Sequence, residues 1–207
     1  MPTAEIIIIG TELLLGEIQD INTRTIARFF RNEGIDFYRS TIIGDNENRI
    51  TTVVQEAIQR SNIVITSGGL GPTVDDPTRS AIANALGVDL VFRPELWDQI
   101  NQRFKNYGRI PTGNNRKQAF IPDGAIAIEN KVGTAPAFYF KTGNGLIVSL
   151  PGVPGELEYI LENEVPTILN NCFTEKHVIE TLTIHTSGIG ESVLDEKIAD
   201  LDRKSVV

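Results

Sequence analysis

The sequence predicts an α/β fold organised around a mostly parallel sheet, and three observations carry that expectation. Ala4 to Ile9 is a continuous apolar run, the mark of a strand covered on both faces. Strand-like and helix-like stretches then alternate at the spacing of βαβ units, which join parallel strands through right-handed crossovers. Finally, the apolar run at 62–66 passes through the glycine-rich stretch Ser67-Gly68-Gly69-Leu70-Gly71-Pro72-Thr73-Val74-Asp75-Asp76-Pro77-Thr78 directly into a helix pattern. Sheets of this kind bind ligands beyond the carboxyl ends of their strands, where such junctions lie.

Taken in order, the first strand ends at Gly10-Thr11-Glu12. Asn22 is a candidate cap for a helix whose apolar face is Ile26, Phe29 and Phe30 and which Gly34 stops. Ile35 to Ile43 reads as the second strand, Gly44 to Asn48 as a turn, and Ile50 to Arg60 as an amphipathic helix with Val53, Val54, Ala57 and Ile58 inward. The glycine loop follows the third strand. Asp75 or Asp76 can cap the next helix, Pro77 suits its first turn, and Gly87 stops it. Val88 to Phe92 is a short strand. Pro94 to Tyr107 is a helix with Leu96, Ile100 and Phe104 at helical spacing. The segment from Gly108 to Gln118 is polar and punctuated by glycine and proline. It reads as a solvated connector or as a loop that lays Arg116 or Lys117 on a phosphate. Ala125 to Ile128, Ala137 to Lys141 and Leu146 to Leu150 are strands, the last two flanking the turn residues Thr142 to Gly145. Pro151-Gly152-Val153-Pro154-Gly155-Glu156 opens a helix that ends near Asn171. Val178 to His185 alternates like a strand, and Ile189 to Leu201 reads as a helix.

Composition narrows the chemistry. The 207 residues carry 19 Lys and Arg against 27 Asp and Glu, a net charge of −8, so no basic face for nucleic acid is expected. One cysteine, Cys172, and two histidines, His177 and His185, exclude an internal disulfide and argue against a zinc cluster, so any metal would be held by oxygen. The run Ile6 to Ile9 is too short for a signal or a membrane span, and a cytoplasmic protein with no membrane contact is expected. Glycines let a backbone approach a ligand closely, and the start of a helix favours anions. The adjacent carboxylates of Asp75 and Asp76 oppose an anion unless a hard cation lies between them and a phosphate. A tight turn with capping aspartates accounts for the same residues. If the sheet is parallel, Glu12, Asp45, Asp75 and Asp76 converge on one rim.

Six motifs occur in order: Gly10-Thr11-Glu12-Leu13-Leu14, Gly44-Asp45-Asn46, Gly68 to Thr73 with Asp75-Asp76, Asn114-Asn115-Arg116-Lys117-Gln118, Gly133-Thr134-Ala135-Pro136 and Pro151-Gly152-Val153-Pro154. Together they resemble the amino-terminal domain of the CinA family, the competence- and damage-inducible proteins, which is similar to the molybdopterin-binding proteins MoaB and MogA. The resemblance implies a three-layer α/β/α sandwich over residues 1–171, with 172–207 as the start of a small middle domain. The carboxy-terminal deamidase activity of that family is not expected of these residues. The activity implied is a metal-dependent ADP-ribose pyrophosphatase that releases AMP and ribose 5-phosphate. By the same resemblance, Glu12, Asp45, Asp76 and Lys117 are the catalytic candidates, and Asp45, Asp75 and Asp76 would hold Mg²⁺ or a similar divalent ion, with a monovalent cation as a further expectation. Gly68, Gly69, Leu70, Gly71, Pro72, Thr73, Asn115, Arg116, Gly133, Thr134, Pro151 and Gly152 would bind the phosphorylated nucleotide. A homo-oligomer is implied as well. Two alternatives stand beside this reading: a pterin-binding or adenylyl-transferring protein of molybdenum-cofactor synthesis, and a nucleotide-binding module without catalysis. The loop's Leu70 and Pro72-Thr73 depart from the pattern of the pterin branch.

Overall fold

The computed structural model describes residues 1–143, 145–173 and 185–202. Its elements are β1 (Thr3–Ile9), α1 (Thr11–Leu14), α2 (Asn22–Asn32), β2 (Asp36–Ile43), α3 (Glu47–Arg60), β3 (Ile63–Ser67), α4 (Thr78–Leu86), β4 (Leu90–Phe92) and α5 (Pro94–Asn106). A 3₁₀ turn, Gly113–Ala119, leads to β5 (Phe120–Pro122), β6 (Ile126–Ile128), β7 (Ala137–Lys141), β8 (Leu146–Leu150), α6 (Pro154–Asn163), α7 (Val165–Cys172) and α8 (Glu191–Asp202). The main sheet has the order β2-β1-β3-β8-β7-β6. Its first four strands run parallel, and β7 and β6 turn back antiparallel.

Alternation along the parallel strands sorts the core into two halves, one on each sheet face. Ala4, Ile6 and Ile8 of β1, Ile63 and Ile65 of β3, and Leu146, Val148 and Leu150 of β8 pack against Ile26 and Phe30 of α2, Leu157 and Ile160 of α6, and Val165 and Leu169 of α7. Ile7 and Ile9, Val64, and Ile147 face Ile50 and Val54 of α3, Ile82 of α4, and Leu96 and Ile100 of α5. Helices therefore cover both faces of a mainly parallel sheet, which makes the three expected layers. Between β3 and β8 one polar pair interrupts the apolar face: Thr66 Oγ1 donates to Ser149 Oγ at 3.0 Å, both side chains fully buried.

At the amino-terminal ends of the strands a second polar cluster is buried. Glu5, on β1, accepts from Arg60 Nε at 2.7 Å and Nη2 at 2.9 Å, from Ser61 Oγ at 2.7 Å and from Tyr38 Oη at 2.8 Å. Burial alone would push its carboxyl up. The hydrogen bonds from Arg60, Ser61 and Tyr38, with the charge of Arg60, outweigh that and hold it below the ordinary value.

Several elements differ from expectation. The sequence missed the short α1 and β5, whereas the short strand expected over Val88 to Phe92 is present as β4 and pairs antiparallel with β5, Phe92 opposite Phe120. The helix expected to run to Asn171 is two helices, because Pro166 at the start of α7 lacks the N–H that would continue α6. Asn22 is not the cap of α2. It lies inside the helix, and Asp20 accepts from the Thr23 N–H at 3.0 Å instead. The strand expected over 178–185 falls outside the described residues except for His185, and so does Asn144 of the expected turn. The β7–β8 pairing on either side of that turn is in place.

Candidate functional site

Because β1, β2, β3 and β8 are parallel, the loops that leave them emerge on one rim. The chain goes from β1 to β2 on one side and then crosses to β3 on the other, so β1 and β3 part at a switch point where ligands enter such sheets. A cavity of about 580 Å³ opens there. Gly10, Glu12 and Asp45, the loop from Gly68 to Thr73 with Asp75 and Asp76, Thr134, and Pro151-Gly152 all line it. So do Gln118 and Glu156, which the sequence had not singled out.

The loop has its shape for steric reasons. Gly68 has φ +107, and a Cβ there would sit 2.1 Å from the carbonyl oxygen of Ile9. Thr78 clasps the loop from the start of α4: its hydroxyl donates to Gly68 O at 2.8 Å and its N–H to Gly69 O at 3.3 Å. Neither aspartate caps α4, contrary to expectation. The cap position is Pro77, and Asp76 Oδ2 is occupied within the loop, accepting from Thr73 N at 2.8 Å and Thr73 Oγ1 at 2.6 Å. Asp45 is tied to the neighbouring rim segment. Its Oδ2 accepts from Thr11 N at 2.8 Å, and Thr11 Oγ1 accepts from Asp45 N at 3.0 Å. The side chain of Glu12 lies over Gly10, and Asp75 is exposed at the mouth.

Gly133 lines a neighbouring cavity with Arg103 and Asn130 and not this one, and three expected side-chain contacts are directed elsewhere. Asn115 is buried and completes a capping box with Thr112. The Arg116 guanidinium stacks on the Phe92 ring, 4.8 Å from its centroid. Lys117 Nζ donates to Thr73 O at 2.7 Å, so it fastens the outside of the glycine loop and does not line the cavity. In each case a local partner satisfies the side chain before a ligand is needed. Asn22 is a rim residue that the sequence disguised as a cap: its Nδ2 donates to Ser67 Oγ at 3.1 Å and Gly152 O at 2.8 Å, joining the two glycine-bearing turns. Asn22→Ala is expected to cost about 1–3 kcal/mol, the worth of buried hydrogen bonds lost to one truncation, read as a lower urea midpoint. An unchanged midpoint would show that the two turns hold themselves together.

Among the described residues, no three carboxylate, histidine or cysteine side chains gather closely enough to form a metal cage. The donor set fits another arrangement, in which a hard ion is shared between one or two carboxylates, water and ligand phosphates.

This architecture, a mainly parallel sheet with a glycine loop at its switch point, is the fold of the MoaB/MogA-like proteins. The chain belongs to the family described as "Probable molybdopterin binding domain", which matches residues 5–170. Within that family its place is with CinA. The CinA structure from Thermoplasma acidophilum, described as of unknown function, superposes with a TM-score of 0.75 at 34% identity, covering 81% of this chain and 98% of that one. A CinA-like protein of Trichormus variabilis is 42% identical over 197 residues, which is 95% of this chain and 47% of the relative. The chain thus spans about half the length of the curated relatives it matches. MoaB from Thermus thermophilus shares the fold, with a TM-score of 0.56 at 18% identity over 83% of this chain and 94% of that one. No helix among the described residues is long and apolar enough to cross a membrane.

Proposed function

We propose that the chain binds a phosphorylated nucleotide on the glycine loop and hydrolyses its diphosphate, with ADP-ribose as substrate and AMP and ribose 5-phosphate as products. The observation that carries this reading is that Glu12, Asp45, Asp75 and Asp76 line the same cavity as the loop from Gly68 to Thr73. A binding module needs the loop. Hydrolysis also needs groups that can hold an ion or orient a water, and these four carboxylates, with Glu156 beside them, supply such groups at the loop. Backbone N–H groups of the loop would hold the phosphates, and Gly152 and Thr134 would form the facing wall. Asp45 and Asp75 would share a divalent ion with the substrate. When bound, such an ion offsets charge on the phosphates. Glu12 would orient a water for attack on one phosphorus, accepting its proton as the bridging P–O bond breaks. The water's oxygen stays on the attacked phosphorus, and the bridging oxygen leaves on the other phosphate. An oligomer, a cytoplasmic location and a middle domain beginning near 172 belong to the same proposal.

A second reading has support of its own. The family description names molybdopterin, and the MoaB neighbour shares the fold. On that reading the loop holds a pterin phosphate and the carboxylates serve adenylyl transfer or nothing. AMP release from ADP-ribose, measured with Mg²⁺ and with excess chelator, separates the two. Release that the chelator stops is the expected result, and Asp45→Asn should slow it by about 100-fold, the scale of one lost electrostatic contact in a transition state. Folded protein that releases no AMP but retains a pterin ligand would move the conclusion to the second reading.

A further inference from the structure

Asp76 stands on the partition between two cavities. It lines the rim cavity, and it also lines a cavity of about 200 Å³ behind the glycine loop, bounded by Glu47, Val74, Pro77, Arg79 and Lys117. Arg79 is the anomaly in that second space. It is 4% exposed, in the first turn of α4, and its Nη1 makes one long contact to Gly71 O at 3.5 Å. Nε and Nη2 are buried with no hydrogen-bond partner. A buried guanidinium with open donors is among the costlier arrangements a fold can hold. Burial lowers its pKa to about 10, and the charge that opposes this is that of Asp76.

The other charged groups lining this space are already committed. Glu47 accepts from Ser80 Oγ and Asn84 Nδ2, each at 2.8 Å, and Lys117 holds Thr73 O. The carboxylate that would satisfy Arg79 is bound to the Thr73 N–H and hydroxyl. Those two donors are what a phosphate in the loop would use.

We propose that Arg79 and Thr73 compete for Asp76, and that a diphosphate entering the loop takes the Thr73 N–H and hydroxyl while the Asp76 carboxylate turns to Nε–H and Nη2–H of Arg79. The inference rests on the reading that the loop holds a phosphorylated ligand. Asp76 loses two donors and gains two, the ligand gains two, and both unpartnered nitrogens of Arg79 gain an acceptor. The exchange also draws a negative charge away from the phosphates, which is how an acid-rimmed loop accepts an anion. Arg79 is then a positioning residue that touches Asp76 and not the ligand.

The test uses inorganic pyrophosphate without divalent ion as the probe on the full chain. In the wild type, the Arg79 Nε–H resonance should move downfield as pyrophosphate saturates the site, because the N–H acquires a carboxylate acceptor. By calorimetry, Arg79→Met should weaken pyrophosphate by about tenfold or more, the worth of one charge-assisted pair. Asp76→Asn removes the residue that must be drawn away, so Arg79→Met/Asp76→Asn should bind within about threefold of Asp76→Asn alone, a coupling that a packing role would not produce. Failure of the wild type to bind pyrophosphate overturns the exchange. So does an Arg79 signal that stays fixed at saturation, or a double variant as weak as Arg79→Met. If Arg79→Met does not fold, the wild-type resonance decides alone. AMP release run in parallel keeps the two claims separate. Turnover with a silent Arg79 keeps the hydrolase and removes the exchange, and a moving Arg79 without turnover does the reverse.

Discussion

Gly68→Ala is expected to lose about 3–5 kcal/mol of folding stability, the sum of a disfavoured backbone angle and an overpacked contact. At φ +107 any L side chain is strained, and the new methyl would lie 2.1 Å from the Ile9 carbonyl oxygen. That oxygen belongs to β1 and cannot swing aside as a side-chain tip can. The loss is a large part of the total stability of an ordinary domain, about 5–15 kcal/mol. The result should appear as a much lower urea midpoint together with lost ligand binding, since the loop would have to leave the β1 rim. Gly155→Ala is the contrast. An added Cβ there meets nothing within 4 Å, and the position lies inside α6. It should gain about 0.5–1 kcal/mol by reducing the freedom of the unfolded chain. Equal effects at the two sites would show that close approach is not what fixes glycine at 68.

Glu5→Gln is expected to cost about 2–4 kcal/mol at neutral pH. Breaking a fully buried pair costs about 3–5 kcal/mol, and the Arg60 side chain, 32% exposed, recovers part of that through water. The pH dependence has a definite sign. The folded carboxyl lies below its ordinary value of 4.5, so the folded state binds its proton later than the unfolded state does. Its contribution is complete above the unfolded pKa and drains away as pH falls through the folded one. Urea titrations from pH 7 down to about pH 3 should therefore show wild type and Glu5→Gln converging on acidification below about pH 4.5. A gap that stays constant through that range would mean that Glu5 contributes shape and hydrogen bonds but no charge.

The β1 and β3 runs and the glycine loops were legible because their signals are local: apolar continuity in one, φ and close approach in the other. The convergence of Glu12, Asp45, Asp75 and Asp76 on one cavity followed from parallel topology alone. What the sequence hid depends on distant partners. Asn22 looks like a cap in any window of ten residues, and only β3 and the Gly152 turn reveal its use. Asn115, Arg116 and Lys117 form a polar run suited to phosphate, yet Thr112, Phe92 and Thr73 engage them first. Arg79 was not singled out at all, because one cation near the start of a helix carries no local signal, and only the packing behind the loop encloses it. Phe120 to Pro122 gave no strand signal because the segment is short and ends in proline.

The Thr66–Ser149 hydroxyl pair makes the sheet self-checking. The crossover half of the chain, through β3, meets the meander half, β6 to β8, along a single seam. Apolar side chains would tolerate several alignments of that seam, since Ile, Val and Leu are nearly interchangeable across it. Two hydroxyls in the dry layer are not: a slip by one residue would set Thr66 against Val148 or Leu150 and leave both oxygens stranded, at about 1–3 kcal/mol each. One hydrogen bond thus works as a key cut into an otherwise greasy splice. Together with the bonds from Ser67 Oγ to Pro151 O and from Asn22 to Gly152 O, it fixes how far the Pro151-Gly152 turn stands from the Gly68 loop, and so the width of the cleft between them.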